Sequence, residues 1–230
     1  MFAPIVFMMF TPLLASAKVL LALNLTIPSV DRPALKHRIQ MEKPVSLKNA
    51  VVPPSVSLSS EGVKYSSCSP GQQAEIRKAI RVAQACAKSS FIHLKSNPSG
   101  STLYTRWFGT FDKNLRGVTL LSFSRLRTYP GTWTYDCACT DSELIAQVNP
   151  KQYGIVDVCP RFWRAPMGGA KSAAFAIIRE GTRFKQVIGS YDHALGQSDS
   201  LTLAKSNARE AAFNADNHAY FSMGAYIEEA

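Results

Sequence analysis

Arg179-Glu180-Gly181-Thr182-Arg183 sets two like residues four apart around a glutamate, and Asp192 follows on the far side of Gly189. In this frame, histidines at both outer positions would point two imidazoles at one metal from a single helix face. The glutamate between them would then handle a proton, and a carboxylate such as Asp192 could complete the ligand set. Here both outer positions are arginine. A guanidinium carries only donors and keeps its proton at any accessible pH, so it offers zinc no lone pair. The pattern therefore carries the frame of a metal-dependent hydrolytic helix without its metal ligands.

Two arginines facing two carboxylates can do something else. They can replace the dication by charge, with Arg183–Asp192 and Arg179–Glu180 contacts made directly or through Tyr191. The alternative is that both arginines turn to solvent over an empty cleft. Gly181 and Thr182 are poor helix formers, glycine by about 1 kcal/mol relative to alanine. They suit a helix that no longer has to present ligands with precision.

The elements that position these residues can be read in outline. Ala170 to Val187 reads as the helix that carries the motif, with Gly189 as its stop. Ser69-Pro70 is a strong helix start, and Ile76, Ile80, Ala83, Ala87 and Phe91 recur at helical spacing up to about Leu94. Val118 to Leu126 is ambiguous between helix and strand. Trp133–Cys139, Glu143–Val148 and Tyr153–Val158 read as short strands of a small antiparallel hairpin. Ser200 to Tyr226 alternates Ala, Asn and aromatic residues in helical fashion.

Length and composition fit one domain with a real core: 230 residues, 46% hydrophobic and 18% charged. Disorder is excluded by that balance. The net charge is +10, without the dense basic run of a nucleic-acid tail. Met1 to Ala17 is apolar and ends in Ala15-Ser16-Ala17, the form of a secretory signal peptide. Residues 18–61 hold Pro28, Pro33, Pro44, Pro53, Pro54 and the serines near 55–60, and read as a short pro-segment or linker. Residues 62–230 form the compact domain. Asn24-Leu25-Thr26 is a glycosylation sequon in a secreted chain. No segment after residue 17 is long and apolar enough to span a bilayer. The five cysteines, Cys68, Cys86, Cys137, Cys139 and Cys159, suggest two disulfides and one free thiol. Cys137 and Cys139 are too close to pair with each other without strain. Cys86 falls near the apolar stripe of the first helix.

Several segments, in order, resemble one family. They are Cys68-Ser69-Pro70-Gly71-Gln72-Gln73, Tyr104-Thr105-Arg106-Trp107-Phe108-Gly109, Thr134-Tyr135-Asp136-Cys137-Ala138-Cys139 and Val158-Cys159-Pro160-Arg161-Phe162-Trp163. Asp192-His193-Ala194-Leu195-Gly196-Gln197 and Asn214-Ala215-Asp216-Asn217-His218-Ala219-Tyr220-Phe221 complete the set. Together they resemble the deuterolysin and peptidyl-Lys metalloendopeptidase family, the fungal aspzincins. The resemblance implies an α+β fold, a mostly helical zincin-like domain with a small antiparallel β-sheet. It also implies disulfides Cys68–Cys137 and Cys139–Cys159, with Cys86 free.

For function the resemblance implies the following. The family's two zinc-ligand histidines fall on Arg179 and Arg183, and its ligand aspartate on Asp192. Its general base falls on Glu180, and the tyrosine assisting the oxyanion falls on Leu195. The acidic pair that binds the substrate lysine falls on Asp216 and Ala219. Arg179, Arg183, Leu195 and Ala219 thus lack the family's chemistry, while Glu180, Asp192 and Asp216 keep it. His193 and His218 are expected to be structural. The family's members carry a long prodomain with a dibasic maturation site. Residues 18–60 contain no adjacent basic pair, which fits a chain without latency or a sequence shortened in that region.

The expectation is a secreted, monomeric homologue of a lysine-specific zinc metalloendopeptidase that has lost catalysis and needs no cofactor. It would bind peptide or protein segments, and neither nucleic acid nor the membrane interior. Two other readings stay open. One is an active endopeptidase with an atypical site; the other is a basic secreted effector that binds anionic surfaces.

Overall fold

The computed structural model describes residues 62–229. The expected signal peptide, the segment 18–61 and the sequon at Asn24 lie outside the described residues.

Chain order runs β1 (Lys64–Ser66), α1 (Pro70–Ser96), α2 (Thr102–Phe108) and α3 (Lys113–Leu126). β2 (Thr134–Asp136), β3 (Ala146–Gln147) and β4 (Ile155–Val158) follow. A 3-10 turn, Pro160–Arg164, leads to α4 (Ala173–Arg183), α5 (Gly196–Ser206), α6 (Ala208–Ala212) and α7 (Ala215–Glu229). The fold is α+β and mostly helical, as the sequence implies.

α1 begins where its cap chemistry says it must. Ser69 Oγ accepts from Gln72 N, and the Gln72 side chain accepts from Ser69 N, which closes a capping box ahead of Pro70. Its apolar face, Ile76, Ala79, Ile80, Ala83, Cys86, Ala87 and Leu94, is buried. That face packs against α3, α4 and α7. The segment 118–126 is helical, within α3, where Asp112 Oδ1 caps Asn114 N and Leu115 N. Its buried face mixes Thr119 and Ser122 with Phe123 and Leu126, which blurs the hydrophobic period.

The sheet departs from the expected antiparallel hairpin. Its order is β1-β2-β4-β3; β1 with β2 and β2 with β4 run parallel, and only β3 with β4 is antiparallel. The strands are too short for composition to reveal direction. A 3-10 turn at Tyr129–Thr132 follows α3 and delivers β2 beside β1, while β4 enters from a separate turn. Both disulfides, Cys68–Cys137 and Cys139–Cys159, staple this sheet to its flanking turns. Cys86 is free and buried, and burial pushes its thiol pKa up to about 12, so it is inert.

α7 supplies the centre of the core. His218 is fully buried between Phe108 and Phe123, and its Nε2–H donates to Ala212 O at 2.9 Å. Burial pushes its pKa down to about 4. An unfolded histidine titrates near 6.5, so the unfolded chain takes up a proton that the fold refuses. The stabilisation is complete above pH 6.5 and is lost as pH falls toward 4. Integrated over that window it amounts to about 3 kcal/mol. Denaturant unfolding from pH 7 to pH 4 is expected to show this loss. His218→Gln, whatever its stability at pH 7, is expected to remove this part of the slope.

Candidate functional site

α4 carries the motif. Ser172 caps it by accepting from Phe175 N at 3.0 Å, so the helix starts at Ala173 rather than at Ala170. It ends at Arg183, short of the expected Val187, because Phe184 leaves the helical conformation. Gly189, with φ of 64°, closes the following turn by donating its N–H to Phe184 O at 2.9 Å. Ser190 N then bonds Thr182 O at 2.9 Å, and Thr182 Oγ1 meets Ser190 Oγ at 2.7 Å. These bonds hold the loop bearing Asp192 against the last turn of α4.

From the other side, Asn214 grips the same loop. Its Oδ1 accepts from His193 N at 2.9 Å and Ala194 N at 3.1 Å, and its Nδ2 donates to Ala194 O at 3.1 Å. Asn217 anchors Asn214 by accepting from its Nδ2 at 2.6 Å. Asn217 Nδ2 also donates to Ser200 O at 3.0 Å. This asparagine clamp gave no motif signal in the sequence beyond the presence of the two residues in one segment.

Three carboxylates converge on one guanidinium. Arg179 Nε donates to Asp216 Oδ1 at 2.6 Å, its NH2 to Asp192 Oδ1 at 2.8 Å, and its NH1 to Glu180 Oε1. Arg183 NH1 donates to Asp192 Oδ2, and its Nε lies 3.7 Å from Glu180 Oε2. The expected Arg183–Asp192 and Arg179–Glu180 contacts are thus present and direct. Tyr191 takes no part; its side chain is 66% exposed and lies edge-on to His193. Asp216 is the member that the sequence reading left out of this web. It lies 37 positions after Arg179 and reaches it only because α7 packs on α4.

Burial grades the cluster. Glu180 and Asp216 are buried at 4% and 5% exposure, while Asp192 and both arginines keep partial access. Desolvation pushes the Glu180 pKa above the ordinary carboxylate value, against the pull of Arg179 and Arg183. Burial opposes the charge on Arg179, yet Glu180, Asp192 and Asp216 together hold its proton more tightly than usual. Two guanidiniums against three carboxylates leave the five groups one charge short of neutral.

Asp216 has a second duty. Its Oδ2 accepts from Gly196 N at 2.6 Å, at the start of α5, where Leu195 in the N-cap position has no side-chain acceptor to offer. Leu195 itself points outward at 59% exposure. Ala219 is fully buried in the core. His193 is partly exposed, with Nδ1 3.9 Å from Glu210 Oε2, and His218 lies in the core, so neither belongs to the cluster.

Gly181 has a reason that the sequence did not disclose. A Cβ there would come 2.6 Å from Trp133 Cη2 and 2.9 Å from Leu126 Cδ2. The glycine lets the edge of the Trp133 ring approach the helix closely rather than marking a relaxed motif. Gly181→Ala is expected to destabilise by about 1–3 kcal/mol through overpacking, despite the higher helix propensity of alanine. Chemical denaturation reads the sign directly.

A zinc ion does not fit these side chains. Both oxygens of Asp192 and one of Glu180 accept from guanidiniums, and Arg179 and Arg183 supply no lone pair. Among the described residues, no group of three or more His, Cys, Asp or Glu side chains is disposed to hold a metal ion.

The fold has counterparts among known proteins. Residues 93–223 match the sequence model of the family described as lysine-specific metallo-endopeptidase. The chain belongs to this family. It is 38% identical over 156 residues to a peptidyl-Lys metalloendopeptidase of Pleurotus ostreatus, covering 67% of this chain and 93% of that protein. It is 36% identical over 161 residues to the enzyme of the same name from Armillaria mellea, covering 70% of this chain but 46% of that protein. The chain therefore spans about half the length of some of the relatives it matches. The solved structure of a zinc peptidase from Grifola frondosa superposes with a TM-score of 0.66 at 31% identity, covering 68% of this chain and 97% of that one.

Proposed function

We propose that this chain is a secreted, catalytically silent relative of the lysine-specific metalloendopeptidases that keeps the fold as a peptide-binding scaffold. One observation carries the reading: the Arg179 guanidinium is bonded at once to Glu180, Asp192 and Asp216. By the family resemblance, Arg179 and Arg183 stand where imidazoles would hold zinc. Metal-assisted hydrolysis needs about three protein ligands and one open position for water. With that donor set gone, Glu180 has no acidified water to deprotonate. Leu195 offers no hydroxyl to a developing oxyanion.

Peptide contact is supported by the rim. Tyr191 and Leu195 flank Asp192 with large, exposed apolar side chains. The lysine-directed role of Asp216 is internal in this reading, because Arg179 and Gly196 N occupy its oxygens. The secretory route is supported by the two disulfides and by the form of residues 1–17. No helix among the described residues is long and apolar enough to cross a membrane.

The test is casein digestion by the purified chain in added zinc, with and without a chelator. The expected cleavage equals the blank in both arms. Chelator-sensitive turnover would overturn the proposal and favour an active endopeptidase with an atypical site.

A further inference from the structure

A second constellation of cations lies outside the arginine–carboxylate cluster and, unlike it, is not paired with carboxylates. A concavity of about 420 Å³ is lined by Ser142, Glu143, Arg161, Arg164 and Lys171, together with Ile145, Ala165 and Pro166. Among the described residues, Arg161, Arg164 and Lys171 make no ion pair with any carboxylate. Glu143 lines the same concavity without pairing with them.

The local structure gathers these exposed cations around one concavity. Arg161 and Arg164 lie three apart in the 3-10 turn Pro160–Arg164, where residues i and i+3 eclipse, so both project from one side. The turn is rigid. Cys159, disulfide-bonded to Cys139, precedes it, and Phe162 is buried at its centre. Arg161 NH1 donates to Glu143 O at 2.8 Å, which fixes that guanidinium on the rim. Lys171 lines the same concavity from a left-handed backbone conformation, φ 59°, rare for a residue with a side chain. Ala173 N bonds Pro166 O at 2.9 Å and Ala174 N bonds Met167 O at 3.4 Å, tying the Pro166–Ser172 loop to the start of α4. Those bonds also use up the amides of the first turn, so an occupant is held by side chains alone.

We propose that this concavity binds a small organic phosphate or sulfate monoester. Planar guanidiniums match tetrahedral oxyanions with paired N–H donors, and an ammonium adds a point charge. The volume exceeds what a bare oxyanion fills and lies within the range of small-ligand sites, leaving room for a sugar-sized group. Ser142 and Glu143 can bond hydroxyls of that group, as donor and as acceptor.

The test is isothermal titration of the purified chain with glycerol 3-phosphate, glucosamine 6-sulfate, inorganic phosphate and inorganic sulfate. The same titrations are run on Arg164→Ala/Lys171→Gly, which spares the Arg161–Glu143 bond and relieves the left-handed backbone. Saturable binding of at least one ester is expected, tighter than that of its free anion and weaker at higher salt. The double variant is expected to weaken it by about tenfold or more while its thermal unfolding stays cooperative. Whichever ester binds tighter names phosphate or sulfate as the source. No saturable binding, affinity unchanged in the folded double variant, or equal affinity for free anion and ester would each overturn the proposal. Should the double variant fail to fold, Arg164→Glu alone provides the same readout. None of these outcomes depends on whether the α4 cluster binds zinc or cleaves peptides.

Discussion

Replacing Arg179 and Arg183 together by histidine is expected to produce a chain that takes up about one equivalent of zinc. The double change removes two fixed positive charges and supplies two imidazoles four apart on α4. It also frees both oxygens of Asp192, which the arginines hold in the parent chain. The loop that carries Asp192 needs no rebuilding, because Asn214 and the Thr182–Ser190 contact hold it independently of either arginine. A dissociation constant of about 1 μM or lower is expected, equivalent to about −8 kcal/mol. Each single reversion is expected to bind far more weakly, since one guanidinium still repels the dication and still bonds Asp192. The readout extends to stability. Without metal the double variant is expected to melt below the parent, having lost the partner of Asp216. Zinc at 100 times its dissociation constant then raises stability by about 2.7 kcal/mol. Adding Leu195→Tyr tests whether detectable casein cleavage follows the metal.

The second large effect is structural. Arg179→Ala removes the one group that touches all three carboxylates; it leaves Asp216 buried without a cation and Glu180 with only Arg183 Nε at 3.7 Å. Removing one partner of a buried charge cluster costs about 3–5 kcal/mol. For a domain of this size that lowers the melting temperature by about 10 °C. Arg183→Ala is expected to cost about 1 kcal/mol or less, because Asp192 keeps its bond to Arg179 and the pair is partly open to solvent. The two effects differ in pH dependence as well. The orphaned carboxylates of Arg179→Ala bind protons more readily folded than unfolded, so its deficit narrows as pH falls through the carboxylate range. A bland surface role for Arg179 predicts equal, small effects for both variants and no narrowing.

How much of this could be read in the residues depends on the range of each signal. α1 was legible because its cap, its proline and its apolar stripe are all local to Ser69–Leu94. The charge exchange on α4 was legible for the same reason: Arg179, Glu180 and Arg183 lie within one helical turn or so, and Asp192 in the next loop. The participation of Asp216 was not, since it depends on α7 docking against α4. Sheet direction was hidden because β1, β2 and β4 are three or four residues long and gather from distant parts of the chain. The role of Gly181 was misjudged from propensity, because its reason is the Trp133 ring packed above it. In each case the missing information was a tertiary contact that no window of neighbouring residues contains.

The most direct measurement is a zinc titration of the unmodified purified chain at neutral pH, followed by calorimetry and by metal analysis after desalting. If guanidiniums hold the three carboxylates as described, zinc retained after desalting stays far below one equivalent, and no saturable heat appears at micromolar concentrations. Retention of one equivalent of zinc, lost on Asp192→Ala, would contradict the account.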